Sequence, residues 1–169
     1  MRTEKLAIRC LLLLLWLVPL QGRSQDVSAH LSEAKRLESA FKDAEALQKY
    51  LQVISIQPNN LVALCKASEL YNIVGKRQSP KSKQKEYYVA ARQYAQKALQ
   101  LNPNYPDANF AMAVASGRLA LMASGEEKIK AVKQIKQYAD RCLQLDPNNF
   151  KGYHILGKWH YEVSDLNSV

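Results

Sequence analysis

LQLNPNY, residues 99–105, and LQLDPNN, residues 143–149, are one phrase written twice, with the prolines 44 residues apart. A worn third copy, VISIQPNN at residues 53–60, places Pro58 45 residues ahead of Pro103. A phrase that recurs at near-constant spacing marks a repeat architecture, in which each unit covers the apolar face of the next.

Each proline follows a helical pattern. Before Pro103 the apolar and small positions are Tyr87, Ala91, Tyr94, Ala98 and Leu101. Before Pro147 they are Ile129, Val132, Ile135, Ala139, Cys142 and Leu145. Spacings of three and four put each set on one helix face. Proline cannot donate to the helix ladder and disfavours helical geometry in the residue before it, so the helix stops there. The asparagines after each proline suit a turn and can cap the next helix. A second series then starts. After Pro58 it reads Leu64, Ala67, Ser68, Tyr71, and after Pro147 it reads Tyr153, Leu156, Gly157, His160, at identical offsets from the proline. After Pro103 it comes one residue late, as Phe110, Ala113, Val114, Gly117, because Pro106 lengthens the turn. The small residues Ser68, Ala113/Val114 and Gly157 are expected to let paired helices approach closely.

The fold expected is all-α: antiparallel helix pairs stacked as a solenoid with long helices. Glu126–Leu145 is one unbroken helical pattern and Lys83–Leu101 is nearly as long, so each second helix runs to about 20 residues. Ser124 with Glu127 three residues on reads as a capping box. Gly75–Lys85 reads as a basic loop, with Ser79 as N-cap and Pro80 at the first helical position. Upstream, Leu31, Ala34, Leu37 and Phe41 line one more helix, and Ala44, Leu47, Leu51 and Ile54 line its partner. The pairs span about 28–57, 60–101 and 107–145, with a last unpaired helix at 149–164. That last helix is apolar on many sides, which suggests that the chain is a fragment or that another surface covers this end.

Residues 1–24 stand apart. Arg2, Lys5 and Arg9 precede an apolar run of eleven residues, Cys10–Leu20, and Gly22 and Ser24 place small residues before a cut after Ser24. This is the layout of a secretory signal peptide, and the run is shorter than the roughly 20 residues a membrane span needs. Export to a periplasm or the exterior is the expectation, with anchoring through this segment as the alternative; residues 25–169 form the repeat domain. Removing 1–24 leaves 20 basic against 14 acidic residues, a net +6. Such a charge favours acidic partners or anionic headgroups, though it more often only keeps a protein soluble. Cys65 and Cys142 lie on apolar helix faces and are expected as buried free thiols rather than a bridge.

The Tyr153-Leu156-Gly157 series and Ala98…Pro103 resemble the tetratricopeptide repeat, with a period about ten residues longer than the usual 34 or so. More narrowly, PDANFAMAVASGRLA (106–120) and YHILGKWHYEVSDLN (153–167) resemble the regulator of microtubule dynamics family. That resemblance implies a tetratricopeptide-like fold with long helices. It also implies either a microtubule-associated role or, as in one mitochondrial tether of that family, a repeat domain that binds and transfers phospholipid. An exported chain would not meet microtubules, so the first of these is not expected if the chain is exported.

No catalytic signature is present. His154 and His160 lie about 240° apart on one helix and cannot share a metal face. His160 is expected to face the core and His154 the inner surface. No GxSxG, GxGxxG or P-loop occurs, and no carboxylate pair is spaced as acid and base. A non-catalytic binding scaffold is expected, with no cofactor, metal or nucleic acid. The first helices of stacked repeats line a concave wall. By offset that wall takes Val62, Cys65, Glu69 and Asn72 from one helix and Ala108, Ala111, Ala115 and Arg118 from the next. The last helix gives Lys151, His154, Lys158 and Tyr161. The ligand contacts expected are Glu69, Asn72, Ala111, Ala115, Arg118, Lys151, His154, Lys158 and Tyr161. A small apolar floor with a basic side suits a protein or peptide segment, with phospholipid as the alternative. The lysine–asparagine clamp that some such repeats use for C-terminal carboxylates is not reproduced, so that ligand is not expected.

Overall fold

The computed structural model describes residues 19–166, and among them every regular element is a helix. The helices are α1 (Pro19–Ser39), α2 (Asp43–Ile56), α3 (Leu61–Lys76), α4 (Lys81–Leu101), α5 (Pro106–Ala120), α6 (Gly125–Leu145) and α7 (Phe150–Leu166). The expected signal segment lies mostly outside the described residues, and α1 runs through the expected cleavage point after Ser24.

Each helix packs on the next in sequence, and α3 also touches α5, as α5 touches α7. That pattern is a stack of antiparallel pairs with the first helices in register along one wall. The period is long because α4 and α6 each have 21 residues while α3 and α5 have 16 and 15.

The proline phrases do the same work three times. α2, α4 and α6 end at Ile56, Leu101 and Leu145, and the next amide bonds back four residues, from Gln57, Asn102 and Asp146 to Val53, Ala98 and Cys142. Asparagines then cap the helices after the first and third phrases: Asn60 Oδ1 accepts from the Ala63 amide at 3.0 Å and Asn149 Oδ1 from the Gly152 amide at 3.3 Å. Tyr105 takes this place before α5, with Pro106 as the first helical residue.

Some expected details fall out differently. The loop before α4 is short, because α3 runs on to Lys76 and α4 opens at Lys81. Pro80 itself holds the N-cap position, its carbonyl accepting from the amides of Lys83 and Gln84, while the Gln84 side chain donates back to the Lys76 and Gln78 carbonyls. Ser124 holds the N-cap of α6 with extended backbone but makes no side-chain cap, so the capping box is not formed. Phe41, expected on the core face of α1, is 86% exposed. The helix ends two residues earlier, the Lys42 amide bonds to the Leu37 carbonyl at 2.9 Å, and Phe41 takes φ 57° between them. This is a Schellman turn with an aromatic residue where glycine normally sits.

Two clusters make the core. The first joins α1 to α4 through Leu37, Leu47, Tyr50, Val53, Leu70 and Val74, with Tyr71, Tyr87 and Tyr94 packed against it. Tyr71 stacks on Tyr94 at 5.4 Å and meets Tyr87 edge-on at 5.7 Å. The second joins α3, α4 and α5 through Leu64, Cys65, Leu99 and Met112 over a floor of alanines. Cys65 and Cys142 are free and buried, as expected. The core thins beyond α5, since in α6 only Ala139 and Cys142 are buried.

The thinning comes from α7 having no second helix on its outer side among the described residues. In the second repeat Leu64 and Ser68 are wholly buried beneath α4. Their counterparts on α7 are open: Tyr153 is 57% exposed, and a Cβ built on Gly157 would meet nothing within 4 Å. Gly157 therefore does not serve a close approach here. His160, expected in the core, is exposed and stands edge-on to Trp159 at 5.0 Å. The close approach lies at Gly152, where a Cβ would come within 2.8 Å of Leu143.

Candidate binding cleft between the third repeat and the last helix

The concave wall is built from α1, α3, α5 and α7, and its charges are largely spent on one another. Lys66 on α3 pairs with Glu38 at the end of α1 at 2.7 Å, and the Tyr50 hydroxyl donates to the same carboxylate. Lys151 on α7 reaches Glu69 on α3 at 3.3 Å and Asp107 on α5 at 3.8 Å, with its ammonium 4.9 Å from the Phe110 ring centre. One lysine thus ties three successive first helices together. Burial pushes the Glu69 carboxyl above its ordinary range, and Lys151 and Lys66 offset only part of that. For Lys66, burial favours the neutral form, but the hydrogen bond to Glu38 and the neighbouring carboxylates outweigh it, so its pKa rises. Burial raises the Tyr50 phenol, and the Glu38 bond raises it further. Burial, with Asp107 and Glu69 nearby, pushes Cys65 up to about 12; burial likewise takes Cys142 to about 11.

Beside this wall α7 splays from α5 and α6, leaving a cleft of about 460 Å³. Its floor is Phe110, Val114, Val132, Ile135, Ile155 and Trp159, and its rim carries Arg118, Lys128, His154, Lys158 and Glu162. The small residues Ala113, Gly117 and Ala120 on α5 leave the space open. Trp159 fixes the far side: its indole N–H donates to the Val132 carbonyl at 2.8 Å. Among the described residues, Arg118, Lys128 and Lys158 form no ion pair, in contrast with Lys66 and Lys151. A volume in this range, apolar within and cationic at the mouth, suits an amphipathic ligand carrying negative charge.

The residues named from sequence divide accordingly. Arg118, His154 and Lys158 come together on the rim of the cleft. Glu69 and Lys151 come together as an internal pair. Asn72 is buried, its Nδ2 donating to the Ser68 carbonyl at 3.0 Å while its Oδ1 has no protein partner. Ala111 and Ala115 are fully buried and present no surface. Tyr161 is 72% exposed and stands outside the cleft. Sequence reasoning missed Lys128 and the floor. The signal is there, in the Val132–Ile135 stripe and in Trp159, but such a stripe reads equally well as packing inside a pair. Among the described residues no group of three or more His, Cys, Asp or Glu side chains is placed to hold a metal ion.

A family model described as regulator of microtubule dynamics protein 1-3 matches residues 30–169. The chain belongs to this family. Regulator of microtubule dynamics protein 3 of Mus musculus is 25% identical over 145 residues, covering 85% of the chain and 31% of that protein. The Rattus norvegicus protein of the same name is 28% identical over 86 residues, covering 51% of the chain and 18% of the relative. This family member thus spans at most about a third of the length of the curated relatives it matches. In solved structures the fold is that of tetratricopeptide domains. The first such domain of Spaghetti (RPAP3), bound to the HSP90 peptide SRMEEVD, superposes with a TM-score of 0.63 at 20% identity, covering 83% of this chain and 95% of that one. The second domain of human RPAP3, in complex with the HSP70 peptide SGPTIEEVD, gives 0.61 at 17% identity, covering 82% and 98%.

Proposed function

We propose that this chain is a non-catalytic docking module that takes an acidic amphipathic segment of a partner protein into the α5–α6–α7 cleft. The observation that carries this is the division of cations. Lys66 and Lys151 are already paired with Glu38, Glu69 and Asp107, while Arg118, Lys128 and Lys158 at the cleft are not. A ligand that brings carboxylates to Arg118, Lys128 and Lys158 and an apolar face to Trp159 would satisfy both the rim and the floor. Helical or extended segments with acidic flanks have this character. The peptides bound by the two RPAP3 domains are acidic as well, which supports the class of ligand.

The test is selection of peptide ligands from a display library, followed by titration of the chain and of an Arg118→Ala/Lys158→Ala double variant. Loss of two unpaired rim cations should weaken a cleft ligand at least about ten-fold while leaving the helical circular dichroism unchanged. Selected peptides that bind the double variant equally well refute the cleft reading. A phospholipid is the second reading, favoured by the depth of the apolar floor behind a cationic mouth. Mass spectrometry of the purified chain would detect co-purified lipid on that reading and none on the first.

A further inference from the structure

In a stack of antiparallel pairs, all turns within pairs fall on one edge and all turns between pairs on the other. Here the two edges differ in chemistry. The between-pair edge is made of QPNN (57–60), NPNY (102–105) and DPNN (146–149), with no lysine or arginine in any of them. Leu101 (41%), Phe150 (77%) and Tyr153 (57%) are exposed there too, but of the cations flanking those turns Lys151 is paired with Glu69 and Arg141 is bonded to Asn104 and Gln144. The within-pair edge carries Phe41 (86% exposed), Leu121 (60%), which also rims the cleft, and Ile129 (57%). Between them stand Lys76, Lys81, Lys83 and Lys85, all exposed and, among the described residues, without an ion pair. A salt bridge of 2.7 Å from Arg77 to Asp43 holds the first two of these turns against each other.

We propose that this within-pair edge docks on an anionic lipid bilayer. The Phe41 side chain cannot be accounted for by packing, since the fold turns it out into water, and its left-handed backbone is one that a non-glycine residue adopts at a cost. Exposed large apolar residues set among unpaired lysines are what a bilayer interface accepts: the apolar groups enter the headgroup boundary and the lysines meet anionic lipid. An acidic protein surface would satisfy the lysines but would gain little from three apolar side chains on separate turns. The two edges are separated by the length of a helix, roughly 30 Å for 21 residues, well beyond the Debye length of about 8 Å in physiological salt. One edge can therefore bind while the other does not respond.

Amide hydrogen exchange of the full chain, with vesicles of phosphatidylcholine alone or mixed with phosphatidylserine, tests this. The proposal expects slowed exchange in residues 40–44, 76–86 and 121–130 on the mixed vesicles only, with the between-pair turns unchanged. Raising salt from about 0.1 M to about 1 M, which shortens the Debye length from about 10 Å to about 3 Å, should abolish it. A Lys76→Glu/Lys81→Glu/Lys83→Glu variant should partition at least about 100-fold less, since each lysine near an anionic surface is worth about five-fold. Phe41→Ser, at an exposed site where folding is not at risk, should also weaken partitioning. Equal protection on neutral vesicles would mean that the N-terminal apolar segment alone binds, and would overturn the proposal. So would protection at the between-pair turns, or no protection at all. If polyglutamate protects the same turns as strongly and Phe41→Ser has no effect, the partner is an acidic protein and the bilayer is excluded.

Discussion

Gly157→Ala should stabilise α7, although Gly157 stands where a repeat of this kind needs a small residue for its second helix to approach. In the interior of a helix, alanine is favoured over glycine by about 0.8–1.0 kcal/mol. That gain is realised only where the added methyl meets no obstacle, and at Gly157 it meets nothing within 4 Å. Gly75, at the end of α3, is the opposite case. A Cβ there would lie 2.7 Å from the Tyr87 Cβ and 3.0 Å from the Tyr88 ring. The Tyr87 Cβ is fixed to the backbone of α4 and cannot rotate away, so Gly75→Ala should cost about 1–3 kcal/mol of overpacking strain. Because stacked repeats open unit by unit, the gain at Gly157 belongs to α7 and is best read locally. Amide exchange across residues 150–164 should slow by about five-fold, the equivalent of about 1 kcal/mol. If α7 unfolds together with the rest, the melting temperature should rise by about 2–4 °C. Unchanged or faster exchange in α7 after Gly157→Ala would refute the reasoning. It would mean that another surface packs on the Tyr153–Gly157–His160 face in solution.

Stability should also carry the mark of Glu69. Burial holds its folded-state pKa above the ordinary 4.5, so the folded state binds its proton more tightly than the unfolded chain. The associated stability is full below about 4.5 and is lost as pH rises through the raised value. Glu69→Gln removes this dependence, so urea denaturation at pH 4 and pH 7 should show the variant gaining on the parent as pH rises. Lys151→Ala should do the reverse, because it removes the charge that partly offsets the shift. Cys65 and Cys142, with pKa values raised to about 12 and about 11, should resist alkylation in the native chain at pH 8 and react once it is unfolded, as peptide-level mass spectrometry would show.

The repeated proline phrase is sufficient to fix the class of fold. It stops a helix three times by the same chemistry, and the asparagines after two of the prolines start the next one by the same hydrogen bond. Local chemistry of this kind is written in adjacent residues, as are the 3.6-residue stripes that set the length of α4 and α6. Three of the nine expected contact residues, Arg118, His154 and Lys158, line the cleft, because a helical offset sets which wall a side chain occupies. The offset does not say whether that wall is open. Ala111 and Ala115 share it and are closed over; Lys151 shares it and is consumed by Glu69, which lies 82 residues away in sequence. Phe41 has the spacing of a core residue but lies past the last helical turn. Periodicity reports which side of a helix a residue occupies. Whether that side meets another helix, an opposite charge or water depends on how the pairs stack, and those contacts join residues that no local pattern connects.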